Sequence, residues 1–459
     1  MKNLFKKAAV VTLVAGTALS LASCGGGSDE EHTIVFYHTM GDDLQKVLNT
    51  AIEGFEAKYP GWKIEQNKPG GYDQVRDAII GDLQGGTQPD LAYCYPDHVA
   101  RYMESGKVID LNKFIKSTGT VKATVDGAEK DVPVGYTEAE IADFVTGYWN
   151  EGHADNYSNY EKYGFTADSM LTVPYVKSTE VLYYNADALK ELNLEVPTTW
   201  DEMWTAAEAI HKKYPSSTPV GYDSEANWFI TMANQNGWGY TSAKEPHFLF
   251  DNADTRAWLE DLTDKFSDGL FTTKEIYGSY TSNLFTAGAE TGSVFSIGSS
   301  GGASHQKSEA FKWGVAPLPG SKLADGSINA NAISQGPSLV MLEGETENKD
   351  EKQQMTWMFI KEILEPTFQC KFSMQSGYNP ARKSAFEVDA YQDFLEDKTN
   401  IVAVTANVAK SMSDKFFVSP AFNGSTSARD QVGSALTYTV TGQKPAEKAL
   451  KDAMKKCGA

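Results

Sequence analysis

Four cysteines in 459 residues, at positions 24, 94, 370 and 457, are too few and too scattered for a disulfide framework. Cys94 closes the apolar run Leu91-Ala92-Tyr93-Cys94, where a thiol behaves as a small buried hydrophobe. Sequence alone leaves a Cys94–Cys370 bridge open. Positive charge is also short: 41 Lys and Arg face 61 Asp and Glu, for a net charge of −20. A body this acidic, with no basic block, repels nucleic acid and anionic headgroups, which excludes a nucleic-acid partner. Beyond residue 24 no apolar run reaches the about 18 residues of a membrane span. The seven histidines (32, 38, 98, 153, 211, 247 and 305) never pair at helical spacing, so no zinc site is expected. Asp251-Asn252-Ala253-Asp254 lacks the glycine and closing glutamate of a calcium loop and reads as a helix cap. No P-loop is present. Neither metal nor cofactor is expected.

What is present begins at the N-terminus. Lys2, Lys6 and Lys7 precede an apolar run from Ala8 to Leu21, and Leu21-Ala22-Ser23-Cys24 follows. Basic start, short apolar core and small-residue cleavage site make residues 1–23 an export signal. A cysteine at the cut matches a bacterial lipoprotein box, so Cys24 is expected to carry lipid on the outer face of the cytoplasmic membrane. An ordinary secretory signal is the bland alternative. Loss of the three lysines takes the net charge from −20 to −23. Residues 24–31, Gly-rich and then acidic, read as a tether with a reach of about 15 Å.

The remaining chain is long enough for two or three domains. Ile34 to Tyr37 and Leu91 to Cys94 read as strands, and Asp42 to Tyr59 and Tyr72 to Leu83 as helices. A second series starts at Val181-Leu182-Tyr183-Tyr184, and Thr199 with Glu202 forms a capping box for the next helix. Such alternation predicts α/β lobes with parallel sheets. Two lobes facing each other enclose a cleft at the strands' carboxyl ends and close by hinge motion. Residues 119–165, rich in Gly, Asp, Asn and Tyr, read as an elaboration outside the core. Aromatics make up 12% of the chain, and rings with a polar handle suit stacking on sugars as well as filling cores.

Several stretches carry a specific likeness. They are Ile34 to Met40, Phe55 to Gly61, Gln88 to Ala92, Pro174 to Asn185 with Pro197 to Glu202, Trp313 to Gly320, and Ser376 to Arg382. In this order they resemble the extracellular solute-binding proteins of ABC importers, family 1, over most of residues 32–390. The resemblance implies a two-lobed, periplasmic-binding-protein-like (type II) fold with a hinge and an interlobe cleft. It divides the chain into 32–176 plus 297–340 and 177–296 plus 341–459. It also implies a monomer that hands its ligand to ABC permease subunits without chemistry. The nearest branch includes glycerol-3-phosphate binders and many oligosaccharide binders. By its pattern Tyr72, Asp97, Ser178, Trp228, Ser300, Gly336 and Tyr378 line the cleft, with His38 and Trp238 as further candidates. Plainer readings stand beside these: a helix-start core residue for Tyr72, a helix cap for Asp97, local backbone bonding for Ser178 and Ser300, a satisfied core histidine for His38.

The branch's phosphate-binding arginine should fall just before Phe422-Asn423-Gly424, where Pro420-Ala421 stands. A phosphate monoester needs a fixed cation or a helix-terminus nest. The expectation is therefore a neutral oligosaccharide, with a glycerol phosphoester as the alternative. Catalysis has two weaker claims. Gly298-Ser299-Ser300-Gly301-Gly302 matches a nucleophile elbow, but the sole later histidine, His305, is five residues on and too near to serve as a distant base. Paired carboxylates of a glycoside hydrolase stay open on spacing, since acids are everywhere.

Overall fold

The computed structural model describes residues 32–458. The signal segment, Cys24 and the tether lie outside the described residues. Two five-stranded sheets organise the chain, each with its own buried core.

In the first sheet the strand order is Lys63–Asn67, Thr33–Tyr37, Leu91–Cys94, Ser338–Met341 and Val173–Pro174. Its first three strands are parallel, with Ile34 opposite Ile64 and Phe36 opposite Leu91. The second orders Phe271–Thr273, Val220–Tyr222, Phe295–Ser299, Glu180–Asn185 and Trp313–Pro317. The interior strands are covered on both faces, so Leu91–Cys94 is buried at every position, while the edge strand Lys63–Asn67 (KIEQN) buries only Ile64.

Neither sheet is purely parallel, against expectation. Ser338–Met341 runs antiparallel to Leu91–Cys94, and Glu180–Asn185 runs antiparallel to both its neighbours. Each of these strands enters its sheet from the other lobe, so its direction is set by the crossing rather than by a βαβ turn.

The expected division of the chain also changes. The boundary expected at residue 297 cuts the strand Phe295–Ser299, which pairs whole with Glu180–Asn185 in the second sheet, as does Trp313–Pro317, expected with the first lobe. Conversely, the helix Lys349–Ile363, expected in the second lobe, buries Phe359 against Phe36 and Phe55 and Trp357 against Phe114 and Tyr136 of the first core. The helices Ser425–Val440 and Ala446–Cys457 do return to the second core. Residues 119–165 are more than an elaboration. After the hairpin of Thr120–Val125 and Ala128–Pro133, they give Phe144, Tyr148 and Trp149 to the first core. Cys94, Cys370 and Cys457 are free thiols, the first two buried.

The crossings themselves are tightly bonded. Ser178 and Gln335 exchange two backbone hydrogen bonds of 2.9 and 2.8 Å, joining the outgoing and returning segments. Gly336 has a φ of +91°, and a Cβ there would come within 2.5 Å of the Val176 carbonyl oxygen, so only glycine permits this approach. Beneath them Lys177, 2% exposed, donates to Glu151 Oε2 at 2.5 Å and to Ser338 Oγ at 3.2 Å. Glu151 Oε1 in turn accepts from Ser334 Oγ at 2.6 Å.

A buried pair held on both sides has one clear signature: losing a single partner strands the other charge. Lys177→Ala is expected to lower unfolding free energy by about 3–5 kcal/mol, and the joint Lys177→Met/Glu151→Leu change by clearly less. Urea denaturation of both variants measures this, and equal losses would mean that the two charges are not coupled.

Candidate ligand-binding cleft

A cavity of 870 Å³ lies between the two lobes, lined from both. Small-molecule sites span about 300–1,000 Å³, so its size suits a ligand rather than a few waters.

The first lobe contributes an aromatic wall. Tyr72 opens the helix Tyr72–Gly85, and Tyr95 directly follows the strand Leu91–Cys94, at the strand end where open sheets present ligand sites. Their rings stack with centroids 4.3 Å apart and planes at 28°. Tyr378, placed by Gly377 at the end of the helix Pro366–Ser376, joins them at the cavity. Its ring lies across Gly301, where a Cβ would sit 2.7 Å from it. Burial pushes all three phenols above their ordinary pKa, so they stay neutral hydroxyls.

The second lobe opposes this with a polar wall. Glu180, Asp223, Ser224, Asn227, Ser282, Asn283, Ser299, His305 and Gln306 all reach the cavity. Glu180, at the start of its strand, accepts from Tyr222 at 2.5 Å and from the Asn227 amide at 2.8 Å. Asn227 Oδ1 accepts from the Arg429 guanidinium, so the amide is held in one orientation between them. Asp223 Oδ1 accepts two 2.7 Å bonds from Thr281, one from its N–H and one from its hydroxyl. Thr281 is fully buried, and its predecessor Tyr280 is 57% exposed at the cavity, with Lys274 Nζ 3.9 Å over its ring. An exposed ring on an anchored backbone loses little entropy when it stacks.

Five carboxyls (Asp73, Asp97, Glu180, Asp223 and Asp430) reach the cavity against the two cations Lys274 and Arg429. Thr426 donates to Asp97 Oδ2 at 2.9 Å, linking the lobes along one edge of the cleft.

Of the residues expected here, Tyr72, Asp97 and Tyr378 line the cavity. Ser178, Ser300 and Gly336 sit one layer below, at the crossings, while their neighbours Ser299, Gly301 and Gln335 form the lining. The Ser300 hydroxyl accepts the Thr179 N–H at 3.3 Å, and His305 lies on the same short 3-10 helix, Ser300–Gln306.

Three expectations are corrected. His38 is 1% exposed in the first core, with Nε2 bonded to Gln66 Oε1 at 3.0 Å and Nδ1 accepting from the Met40 N–H at 3.2 Å. Trp228 is fully buried on the helix Glu225–Asn236, stacked on Tyr222 at 4.8 Å and on Trp200 at 5.9 Å. One residue is about 100° of helix, so Asn227 faces the cleft while its neighbour faces the core. Trp238 packs on the second core near Trp258, outside the cavity lining.

Sequence reasoning passed over Tyr95, Tyr280, Glu180 and Arg429. Tyr95 carried a readable signal, an aromatic between a strand end and Pro96. Arg429 falls five residues beyond Gly424 and reaches the cavity from the helix Ser425–Val440, so the cleft does hold an arginine that local spacing did not offer.

Comparison with known proteins agrees with this architecture. Residues 50–398 match the family model described as bacterial extracellular solute-binding protein. The sn-glycerol-3-phosphate-binding periplasmic protein UgpB of Escherichia coli K12 is 24% identical over 458 residues, spanning 96% of this chain and 94% of that one. Two solved structures share the fold: UgpB from Mycobacterium tuberculosis in complex with glycerophosphocholine, and the ABC substrate-binding protein Lmo0181 from Listeria monocytogenes in complex with cycloalternan. The first superposes with a TM-score of 0.71 at 18% identity, covering 93% of this chain and 97% of that one. The second gives 0.72 at 15% identity with the same coverage. With the matched model spanning most of the chain and both lobes in place, this protein belongs to the bacterial extracellular solute-binding family.

Proposed function

We propose that this protein captures a carbohydrate outside the cell and passes it unaltered to the membrane permease of an ABC importer. The observation that carries the reading is the contrast between the cleft walls. A pyranose has flat C–H faces and a hydroxyl edge, and a tyrosine wall opposite a wall of carboxyl, amide and hydroxyl groups complements both at once. Contacts to both walls form only with the lobes together, so binding favours the closed form. Lipid at Cys24 would keep the monomer beside its permease. Among the described residues no helix is long and apolar enough to cross a membrane.

The second reading, a glycerol phosphoester, draws on Arg429 and Lys274 and on what the UgpB relatives are named for. The carboxyl majority in the cleft weighs against it, because a dianion would meet more like than unlike charge. Calorimetric titration with neutral oligosaccharides and with glycerol phosphoesters separates the two. Tight binding of phosphoesters with the sugars ignored would overturn the first.

Loss of one stacked ring supplies a sharper test. Tyr378→Ala and Tyr280→Ala are each expected to weaken sugar binding by about 1–3 kcal/mol, and Tyr280→Ala, at an exposed ring, should leave the melting temperature of the free protein near wild type. Unchanged affinity in either variant removes that ring from the site. Glu180 gives a pH signature. Burial raises its carboxyl from 4.5 to about 7, against the opposing bonds from Tyr222 and Asn227. The folded protein therefore holds a proton that the unfolded chain releases. The resulting stabilisation is complete below the unfolded value of 4.5 and is lost as pH rises through about 7. Thermal melts across that range should show stability falling in the native protein more steeply than in Glu180→Gln. Parallel slopes would contradict the assignment.

A further inference from the structure

Behind the main cleft lies a smaller recess of 70 Å³ that shares Tyr95, Asp97, Gln335 and Arg429 with it. That is several times the about 10–15 Å³ one water needs, and too small for a sugar ring. Ile230, Ile333, Val418 and Pro420 give it an apolar side, and two of the serine hydroxyls beside them, Ser334 and Ser425, are already spent on Glu151 and on the Phe422 carbonyl.

The polar groups at its mouth define what fits. Arg429 spends one N–H on Asn227 Oδ1, and a guanidinium has five to give. Asp97 Oδ2 accepts from Thr426, which leaves Oδ1 as an acceptor. Gln335 is fixed by its paired backbone bonds to Ser178, and its buried Oε1 has no hydrogen-bond partner. An acceptor left unpaired in a buried place is costly, and it calls for an N–H or O–H from a ligand.

Charge narrows the choice further. A cation entering the recess would meet Arg429, and an anion would meet Asp97. A neutral group satisfies both when it offers an acceptor to the guanidinium, a donor to Asp97 or Gln335, and a small apolar end to the apolar side. A bare hydroxyl supplies the first two and leaves the apolar side empty. An acetamido group supplies all three: carbonyl, N–H and methyl. Resting on the carbohydrate reading above, we propose that this recess is an acetamido subsite and that the sugar the protein carries is N-acetylated.

Matched sugars test this directly. The purified protein is titrated with pairs that differ by acetamido against hydroxyl: N-acetylglucosamine and glucose, N,N′-diacetylchitobiose and cellobiose, N-acetyllactosamine and lactose. The acetamido member should bind more tightly by about tenfold or more, the scale set by filling or emptying a fitted apolar pocket. Val418→Phe, at a half-buried position, fills the recess. It should abolish the preference and leave affinity for the hydroxyl sugars unchanged, which also shows that the variant is folded. Equal or tighter binding of the hydroxyl members overturns the subsite, as does retention of the preference in the folded Val418→Phe protein. Binding of maltotriose with every acetamido sugar ignored overturns it while sparing the broader reading. Binding of glycerol phosphoesters alone overturns both.

Discussion

The Lys177–Glu151 pair is the constraint on which the arrangement rests. Two segments carry the chain between the lobes at this point, and both are tied to the same buried charges: Lys177 on one, Ser334 and Ser338 on the other. Burying an ion pair is a poor way to gain stability, since desolvation offsets most of the attraction. Its value here is geometric. The lobes have separate cores, and without a fixed crossing their facing surfaces would have no defined relation. Gly336 contributes by lying where a side chain would force the segments apart.

With the crossing fixed, the two lobes present unlike surfaces. The first offers stacked tyrosines whose hydroxyls stay protonated, and the second offers carboxyl and amide groups already engaged with one another. The chain Tyr222–Glu180–Asn227–Arg429 is the clearest case. Each member holds the next, so the guanidinium at the cleft is aimed by residues that do not themselves need to touch a ligand. Such pre-arrangement limits what ordering costs when the lobes close.

Much of the fold was legible. Period and turn signals placed the strands at 34–37, 91–94 and 181–184, and the Thr199 capping box is made as expected, with the Thr199 hydroxyl accepting the Glu202 N–H at 3.3 Å. The antiparallel strands were not legible, because direction within a sheet depends on which lobe the chain arrives from, and local pattern is blind to that. The same blindness misplaced residues 297–333 and the helix Lys349–Ile363, while Ser338–Met341 falls in the first lobe as expected. In the cleft, residues on strand ends and loops, such as Tyr72 and Tyr378, could be read. Trp228 could not be told from Asn227, since one step along a helix turns a core residue into a cleft residue. Glu180 was hidden because a lone acid beginning an apolar strand has no pattern of its own. Arg429 was hidden because its route to the cavity is set by a helix that packs on the other lobe.

Ser338–Met341 fills an interior place in the first sheet, between Leu91–Cys94 and Val173–Pro174. In a chain made from its N-terminus, about three-quarters of the length must therefore be present before the sheet begun at Thr33 can be completed. Until then Leu91–Cys94 keeps one edge unpaired, the kind of edge on which strands of other chains can add.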